Sequence, residues 1–206
     1  DAMESRGLGD VYKRQKHIMS LCELGLDIYK VNNKGYCLKQ DIGLIAKAVV
    51  ENEYQKLSGQ IGNFETFASI DSTNTELMQR LASKQVVTSG TVVVAEMQNS
   101  GRGRRGRVWQ SPFGANLYYS YYWLLDDGLQ AAMGVSVAVG LAVFDCLHTL
   151  YGLQVSLKWP NDILVNNQKL AGVLVELDGQ PEGPCHLVIG IGLNIAMPEN
   201  ASEHID

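Results

Sequence analysis

The sequence predicts an α+β fold: a mixed, largely antiparallel sheet with helices packed on it. Three observations carry this. Strand-like runs outnumber helical ones. Several of those runs adjoin through short turns, as in "VSLKWPNDILV". No internal repeat divides the chain into an array. A length of 206 residues suits one sizeable core, or one core with a small appendage.

The elements follow in order. Ile18, Leu21 and Leu24 recur at helical spacing, and Gly25 suits a helix end. "LDIYKV" and "GYCL" then flank the turn residues "NNKG", which predicts a hairpin over the rest of residues 16–40. A helix followed by a two-stranded wing is the second half of a winged helix-turn-helix. The same pattern also fits a small hairpin appended to the main domain. Residues 41–60 read as a connector, helical from Ile42 to Gln55.

Residues 61–206 hold the main domain. "FETFASI" is a strand leading into "DSTNTELMQRLAS". There Thr73 with Glu76 three residues later makes a capping box, and Leu77, Met78 and Leu81 give the helix its apolar face. "GTVVVAEMQ" is β-branched enough for a fully buried strand. "NLYYSYYWLL" is a strand whose aromatic residues suit burial against helices. "AAMGVSVAVGLAVFDCLHTLYG" predicts a long apolar helix with glycines that permit close packing. Its uncharged run, Ala131 to Phe144, falls short of the ~20 residues that span a bilayer, so a buried helix and no membrane segment is expected. "VSLKWPNDILV", "QKLAGVLVEL" and "CHLVIGIGLNI" supply the remaining strands.

The two ends differ from the rest. "DAMESRGLGDVYKRQ" shows no hydrophobic period, and "DVYKRQ" back-translates to GAT GTG TAT AAG AGA CAG, the transposon end of a sequencing adapter. Residues 1–15 are therefore expected to be non-native. The other end stops in the polar "NASEHID", as expected of a piece of a longer protein.

Composition narrows the function. A formal net charge of −5 argues against a general nucleic-acid binder, though not against a local basic site. Cys22, Cys37, Cys146 and Cys185 form no C-x-x-C pair, and the four histidines show no metal spacing. Reduced thiols in a cytoplasmic protein are expected. No Ser-His-Asp set, paired-carboxylate site or Cys-His nucleophile stands out. What the chain offers instead is cations on glycine-rich turns, above all "SGRGRRGRVWQSPFGANLYYS". Arginine forks suit carboxylate and phosphate oxygens, and glycine lets the backbone approach them. Three readings stay open on chemistry alone: an anion-binding active-site loop, an exposed RNA-binding patch, or a solvated loop. Its position between two apolar strands favours the first.

"DSTN", "GRGRRGRVWQSPFGANLYYS", "KWPNDILV", "KLAGVLVEL" and "GIGLNI", in this order and at these separations, closely resemble the bacterial biotin protein ligases. These are biotin–[acetyl-CoA-carboxylase] ligases that double as repressors of biotin synthesis genes. The resemblance runs from about Lys16 to Met197. It implies a catalytic domain with the fold of class II aminoacyl-tRNA synthetases and lipoate ligases, preceded by the remnant of a winged helix-turn-helix. It also implies ATP and biotin as substrates, Mg²⁺, a biotin carboxyl carrier domain as acceptor, adenylate-driven homodimerisation, and operator DNA for the full-length parent. DNA binding is expected to be impaired here, because the upstream helices are missing.

Residue by residue, the resemblance implies a biotin site of Ser72, Thr73, Asn74, Gln98, Arg102, Gly103, Arg104 and Lys169. It implies nucleotide contacts from Arg104, Arg105, Arg107, Trp109, Lys158, Asn161, Gly190, Gly192 and Asn194. Lys169, Arg104, Lys158 and Asp162 are the implied catalytic set, with Asp162 on Mg²⁺ or orienting the acceptor lysine. The rivals are lipoate ligation on the same fold and a non-catalytic nucleic-acid-binding module.

Overall fold

The structure is a computed structural model and describes residues 2–39, 42–56, 62–126, 128–180 and 182–197. The chain divides into two compact units, Asp1–Gly43 and Leu44–Asp206.

In the first unit, helix α1 (Ala2–Glu23) is followed by an antiparallel hairpin of β1 (Ile28–Val31) and β2 (Gly35–Leu38). The helix ends at Gly25, whose φ of 92° favours glycine. Asn33, also left-handed at φ 57°, turns the hairpin. The helix-then-hairpin order agrees with expectation, but α1 runs unbroken across the expected boundary at residue 15.

The second unit is a seven-stranded sheet in the order β3-β4-β5-β9-β8-β7-β6, antiparallel throughout except for the parallel pair β3–β4. The strands are β3 (Phe64–Phe67), β4 (Val92–Ala95), β5 (Asn116–Leu125), β6 (Val155–Lys158), β7 (Asp162–Val165), β8 (Gln168–Gly179) and β9 (Cys185–Asn194). Helix α2 (Lys47–Lys56) begins five residues later than expected; residues 41 and 57–60 of the connector lie outside the described residues.

Side-chain alternation divides the sheet into two faces. On one face Val93, Tyr122 and Val188 pack under Leu77 of α3 (Thr73–Ala82). On the other, Val173, Leu187 and Ile189 meet Val135 and Val139, while Ile163 and Ala171 meet Leu147. Fully burying each such aliphatic side chain contributes roughly 1.5–3 kcal/mol, so the two faces together hold the sheet.

The expected long helix is two. Gly134, at φ 87°, separates a short α4 (Gly128–Ala131) from α5 (Val135–Tyr151). Gly140 is buried on α5, but a Cβ there would make only an ordinary contact, 3.8 Å from Leu157 Cδ2 of β6, so the packing does not demand the glycine expected for close approach. The expectation of a buried helix is corrected, however. Leu141, Leu150 and Tyr151 are exposed on its outer side. By length and hydropathy the segment Gly128–Tyr151 would suit a membrane span, yet its inner side is committed to this sheet.

Candidate active site

The α3 face of the sheet changes character toward one end. Beyond Tyr122 and Val188, the same rows carry small residues. Ser120 pairs with Gly190, which pairs with Leu174; Tyr118 pairs with Gly192, which pairs with Gly172. Where side chains shrink, the surface dips. The dip is a cleft of about 660 Å³, and every site residue expected from the sequence lines it.

One wall is the start of α3. Ser72, not Thr73, is the N-cap: its hydroxyl accepts from Thr75 N at 3.4 Å. The expected capping box is thus corrected by one residue, and Glu76 instead accepts from Arg80 Nε at 2.8 Å. This frees Thr73 for other partners. Its backbone N–H donates to Gln98 Oε1 at 2.9 Å, and its hydroxyl lies 3.2 Å from the same oxygen. Gln98 Nε2 donates to Ser111 Oγ at 3.0 Å. Asn74 is 3% exposed and fully engaged, with Nδ2 donating to Glu176 Oε2 at 2.9 Å and Oδ1 accepting from Ser120 Oγ at 2.5 Å. A Cβ at Gly190 would collide with the Asn74 amide, so glycine here makes room for a protein side chain. The resemblance implies a nucleotide contact at the same glycine.

The second wall is the arginine loop, which is itself a narrow hairpin. Arg102 bridges Val108, Gly103 N donates to Arg107 O at 2.8 Å, and Trp109 N to Gly101 O at 2.9 Å. Arg104–Gly106 forms a single 3₁₀ turn at the tip, where Arg105 takes a left-handed φ of 57°. Arg105 and Arg107 point cations toward solvent at the cleft rim. Arg104 Nη1 donates to Asn161 Oδ1 at 2.7 Å, across the cleft.

The third wall is the "KWPND" turn between β6 and β7, with a cis Trp159–Pro160 bond. Asn161 ties this turn to β8: its Nδ2 donates to Val173 O at 3.0 Å, and its own carbonyl accepts from Val173 N at 2.9 Å. Lys158 is exposed at the rim.

The floor carries a charged pair that is largely buried. Between β7 and β8 the register shifts: Asp162 pairs with Gly172 and Ile163 with Ala171, but Leu164 pairs with Lys169. Leu170 is the extra residue. This bulge puts Lys169 on the same face as Gly172 and Asp162, where strict alternation would have sent it to the other face. Lys169 Nζ sits 3.1 Å from Asp162 Oδ1 and 5.3 Å from the centre of the Trp109 ring. The Asp162 contact is electrostatic without hydrogen-bond geometry, since that oxygen has no hydrogen-bond partner. Asn194 Nδ2 donates to the Lys169 carbonyl at 3.1 Å and so fixes the lysine's backbone.

Trp109 lies flat in the notch made by Gly172 and Gly192, where a Cβ on either glycine would overlap its ring. Its Nε1 and Asn194 Oδ1 are buried without partners. Unpaired buried donors and acceptors cost about 1–3 kcal/mol each, so two of them in one cleft mark a place built for a polar ligand. Burial pushes the Tyr118 phenol well above its ordinary pKa, so it stays a neutral donor, to Pro112 O at 2.9 Å. Among the described residues no group of three or more His, Cys, Asp or Glu side chains is placed to hold a metal ion.

Sequence reasoning missed Ser120, Ser111 and Glu176. Two of them left a trace: Ser120 interrupts the aromatic run of β5, and Glu176 is a lone carboxylate in an apolar strand.

A glycine-floored cleft in the sheet thus gathers amide and hydroxyl groups at one wall and cations at the others, groups that suit a small anionic molecule. Comparison with known proteins makes this specific. The chain belongs to the biotin/lipoate A/B protein ligase family, whose profile matches residues 66–194. It is 43% identical over 182 residues to the bifunctional ligase/repressor BirA of Salmonella typhimurium, covering 88% of this chain and 54% of that protein. It is 38% identical over 146 residues to the biotin–[acetyl-CoA-carboxylase] ligase of Mycobacterium tuberculosis, covering 69% of this chain and 52% of that one. The fold is similar to that of the biotin protein ligase from Aquifex aeolicus in complex with biotin and ATP. The TM-score is 0.55 at 32% identity, over 70% of this chain and 58% of that one. The chain thus spans about half the length of the relatives it matches.

Proposed function

We propose that this chain is the core of a biotin protein ligase. In the first step a biotin carboxylate oxygen attacks the α-phosphorus of ATP. The bond to the β-bridging oxygen breaks, giving biotinyl-5′-AMP and pyrophosphate. In the second step the amine of an acceptor lysine attacks the biotinyl carbonyl carbon. AMP leaves, the nitrogen loses a proton, and an amide remains on a biotin carboxyl carrier domain. The observation that carries this reading is the meeting of two chemistries in one cleft: acceptors and donors at Thr73 and Gln98, and cations at Lys169, Arg102 and Arg104.

Each group has a task that its position suits. Thr73 and Gln98 hydrogen-bond the ureido ring. Lys169, on the floor, offsets repulsion between the biotin carboxylate and the α-phosphate; charge fixed in place before reaction supplies much of the rate enhancement of many enzymes. Arg104, Arg105, Arg107 and Lys158 take the remaining phosphate oxygens. Trp109 and Asn194 flank the nucleotide, with Gly192 seating the Trp109 ring and Gly190 the Asn74 amide. Asp162, whose Oδ1 makes no hydrogen bond and is ion-paired with Lys169, would hold Mg²⁺ through its carboxylate together with substrate phosphates, and the ion would supply charge neutralisation there. Closure of the glycine-rich loop excludes water from the mixed anhydride.

The same reading extends to a longer parent. It is a cytoplasmic protein with reduced thiols, dimerises on adenylate binding and acts as a repressor at operator DNA through a winged helix-turn-helix of which residues 16–40 are the remnant, so that DNA binding by the chain itself is impaired. Support comes from the ligase/repressor names of the relatives.

The test is biotin-dependent exchange of labelled pyrophosphate into ATP by the 206-residue chain. Exchange that requires biotin and is not supported by lipoate is expected. Exchange with lipoate alone assigns the lipoate branch of the family, and salt-sensitive duplex binding with no exchange assigns a non-catalytic module.

A further inference from the structure

An unbroken polar circuit runs around the cleft. Arg102 Nη2 lies 2.8 Å from Glu176 Oε1, and its Nη1 reaches Thr75 Oγ1 at 3.4 Å. Glu176 Oε2 accepts from Asn74 Nδ2 at 2.9 Å. Asn74 Oδ1 meets Ser120 Oγ at 2.5 Å, and Ser120 Oγ lies 2.7 Å from Thr73 Oγ1. Thr73 N donates to Gln98, Gln98 to Ser111 at 3.0 Å, and Ser111 Oγ to the carbonyl of Trp109 at 3.0 Å. Both ends of the arginine loop, Arg102 and Trp109, belong to this circuit.

Glu176 gives the circuit its direction. A carboxylate only accepts, so the Asn74 amide must turn its NH₂ toward it and its oxygen toward Ser120. Ser120 has one proton and gives it to that oxygen. With that proton spent, the Thr73 hydroxyl has Ser120 Oγ at 2.7 Å and Gln98 Oε1 at 3.2 Å as acceptors for its own, and its oxygen is left to accept from a donor in the cleft. A ring N–H of a ureido group is such a donor. Glu176 is largely buried at 18% exposed and Arg102 is 46% exposed, so the carboxylate keeps the arginine at the cleft mouth. Pulling Arg102 away would leave a buried charge without its cation.

We propose that Glu176 is a positioning residue for the biotin site. It pins Arg102 at the base of the loop and orders the hydrogen bonds through Asn74 and Ser120 so that Thr73 presents an acceptor. The identity of the ligand rests on the function proposed above; the pinning of the loop does not.

The test uses the 206-residue chain with Glu176→Gln, which keeps the shape but removes the charge and lets the amide at residue 176 donate. Biotin binding is measured by calorimetry, and trypsin cleavage within the arginine loop is timed without ligand. Biotin affinity is expected to fall on the order of tenfold, the scale of one charge-assisted hydrogen bond. In pyrophosphate exchange the loss should fall on KM for biotin more than on kcat. Loop cleavage should rise severalfold, and the rise should vanish in an Arg102→Gln background, because the partner is already gone. Glu176→Asp, which keeps the charge, should restore loop protection and also serves if the Gln variant fails to fold. Wild-type affinity together with wild-type cleavage in Glu176→Gln overturns the proposal, as does equal cleavage in the Asp and Gln variants. If the wild-type chain binds no biotin, the ligand assignment fails, and the cleavage series still judges the Arg102–Glu176 pin.

Discussion

Lys169 and Asp162 face each other across β7 and β8, with Nζ 3.1 Å from Oδ1 and both side chains only 18% exposed. The contact exists because the bulge at Leu170 turns Lys169 toward the cleft. A largely buried ammonium held by one carboxylate and the face of Trp109 is ready to exchange the carboxylate for a ligand anion.

Lys169→Ala is therefore expected to lower adenylate formation by about 10²–10³-fold, the scale of losing one preorganised charge contact at a reacting centre. The circular dichroism spectrum should stay close to wild type, while the urea midpoint falls because Asp162 is left largely buried without its cation. Near-normal exchange in this variant removes Lys169 from the reaction.

Gly192→Ala tests the seat of Trp109. The new methyl overlaps the indole ring, so the ring must leave its notch. Tryptophan emission is expected to shift to the red, and a variant lacking Trp109 should show no such shift on the same substitution. Overpacking of this kind costs about 1–3 kcal/mol, which a urea melt resolves. Unchanged emission contradicts the packing described.

Ser120→Ala tests the buried network without changing charge. It leaves Asn74 Oδ1 without its donor and the Thr73 hydroxyl with Gln98 Oε1 alone, among side chains that are almost fully buried. A loss of about 1–3 kcal/mol in unfolding free energy is expected. A Ser120→Thr variant that retains the hydroxyl should recover part of it.

The Glu65–Arg80–Glu76 cluster gives the pH dependence. Arg80 donates to both Glu65 oxygens at 2.8 Å and holds the Glu65 carboxyl below the usual carboxylate range. A folded pKa below the unfolded one means that the stabilisation is fully present above the unfolded value, near pH 4 to 5. It is lost progressively as pH falls through the folded value. Glu65→Gln should thus lower the melting temperature at pH 7, and the difference from wild type should shrink toward zero in acid. A difference that persists at low pH assigns the effect to packing instead.

The sequence made the sheet and the site's membership legible for different reasons. Short turns between apolar strands showed the antiparallel order, because a strand return over so few residues has few alternatives. Motif register brought Ser72, Gln98, Lys158 and Asn194 to one place before any geometry was known. Three things stayed hidden. The bulge at Leu170 leaves no mark in an apolar run, since alternation is unreadable when both faces are buried. The cap fell to Ser72 instead of Thr73 because both residues can cap, and tertiary partners at Gln98 and Ser120 decided between them. Ser120 and Glu176 are single polar residues in apolar strands, and only the pairing of β5, β9 and β8 shows that they meet the start of α3.

The bridge from Arg104 to Asn161 has a kinetic consequence. It joins the loop to the opposite wall before any ligand has arrived, so the unliganded cleft is latched. Where entry requires this bridge to break, arrival rates should level off with ligand concentration instead of rising without limit. An Asn161→Ala variant, with the latch gone, should remove that plateau and hasten departure as well as arrival. Residence time, more than strength of grip, is what this arginine governs.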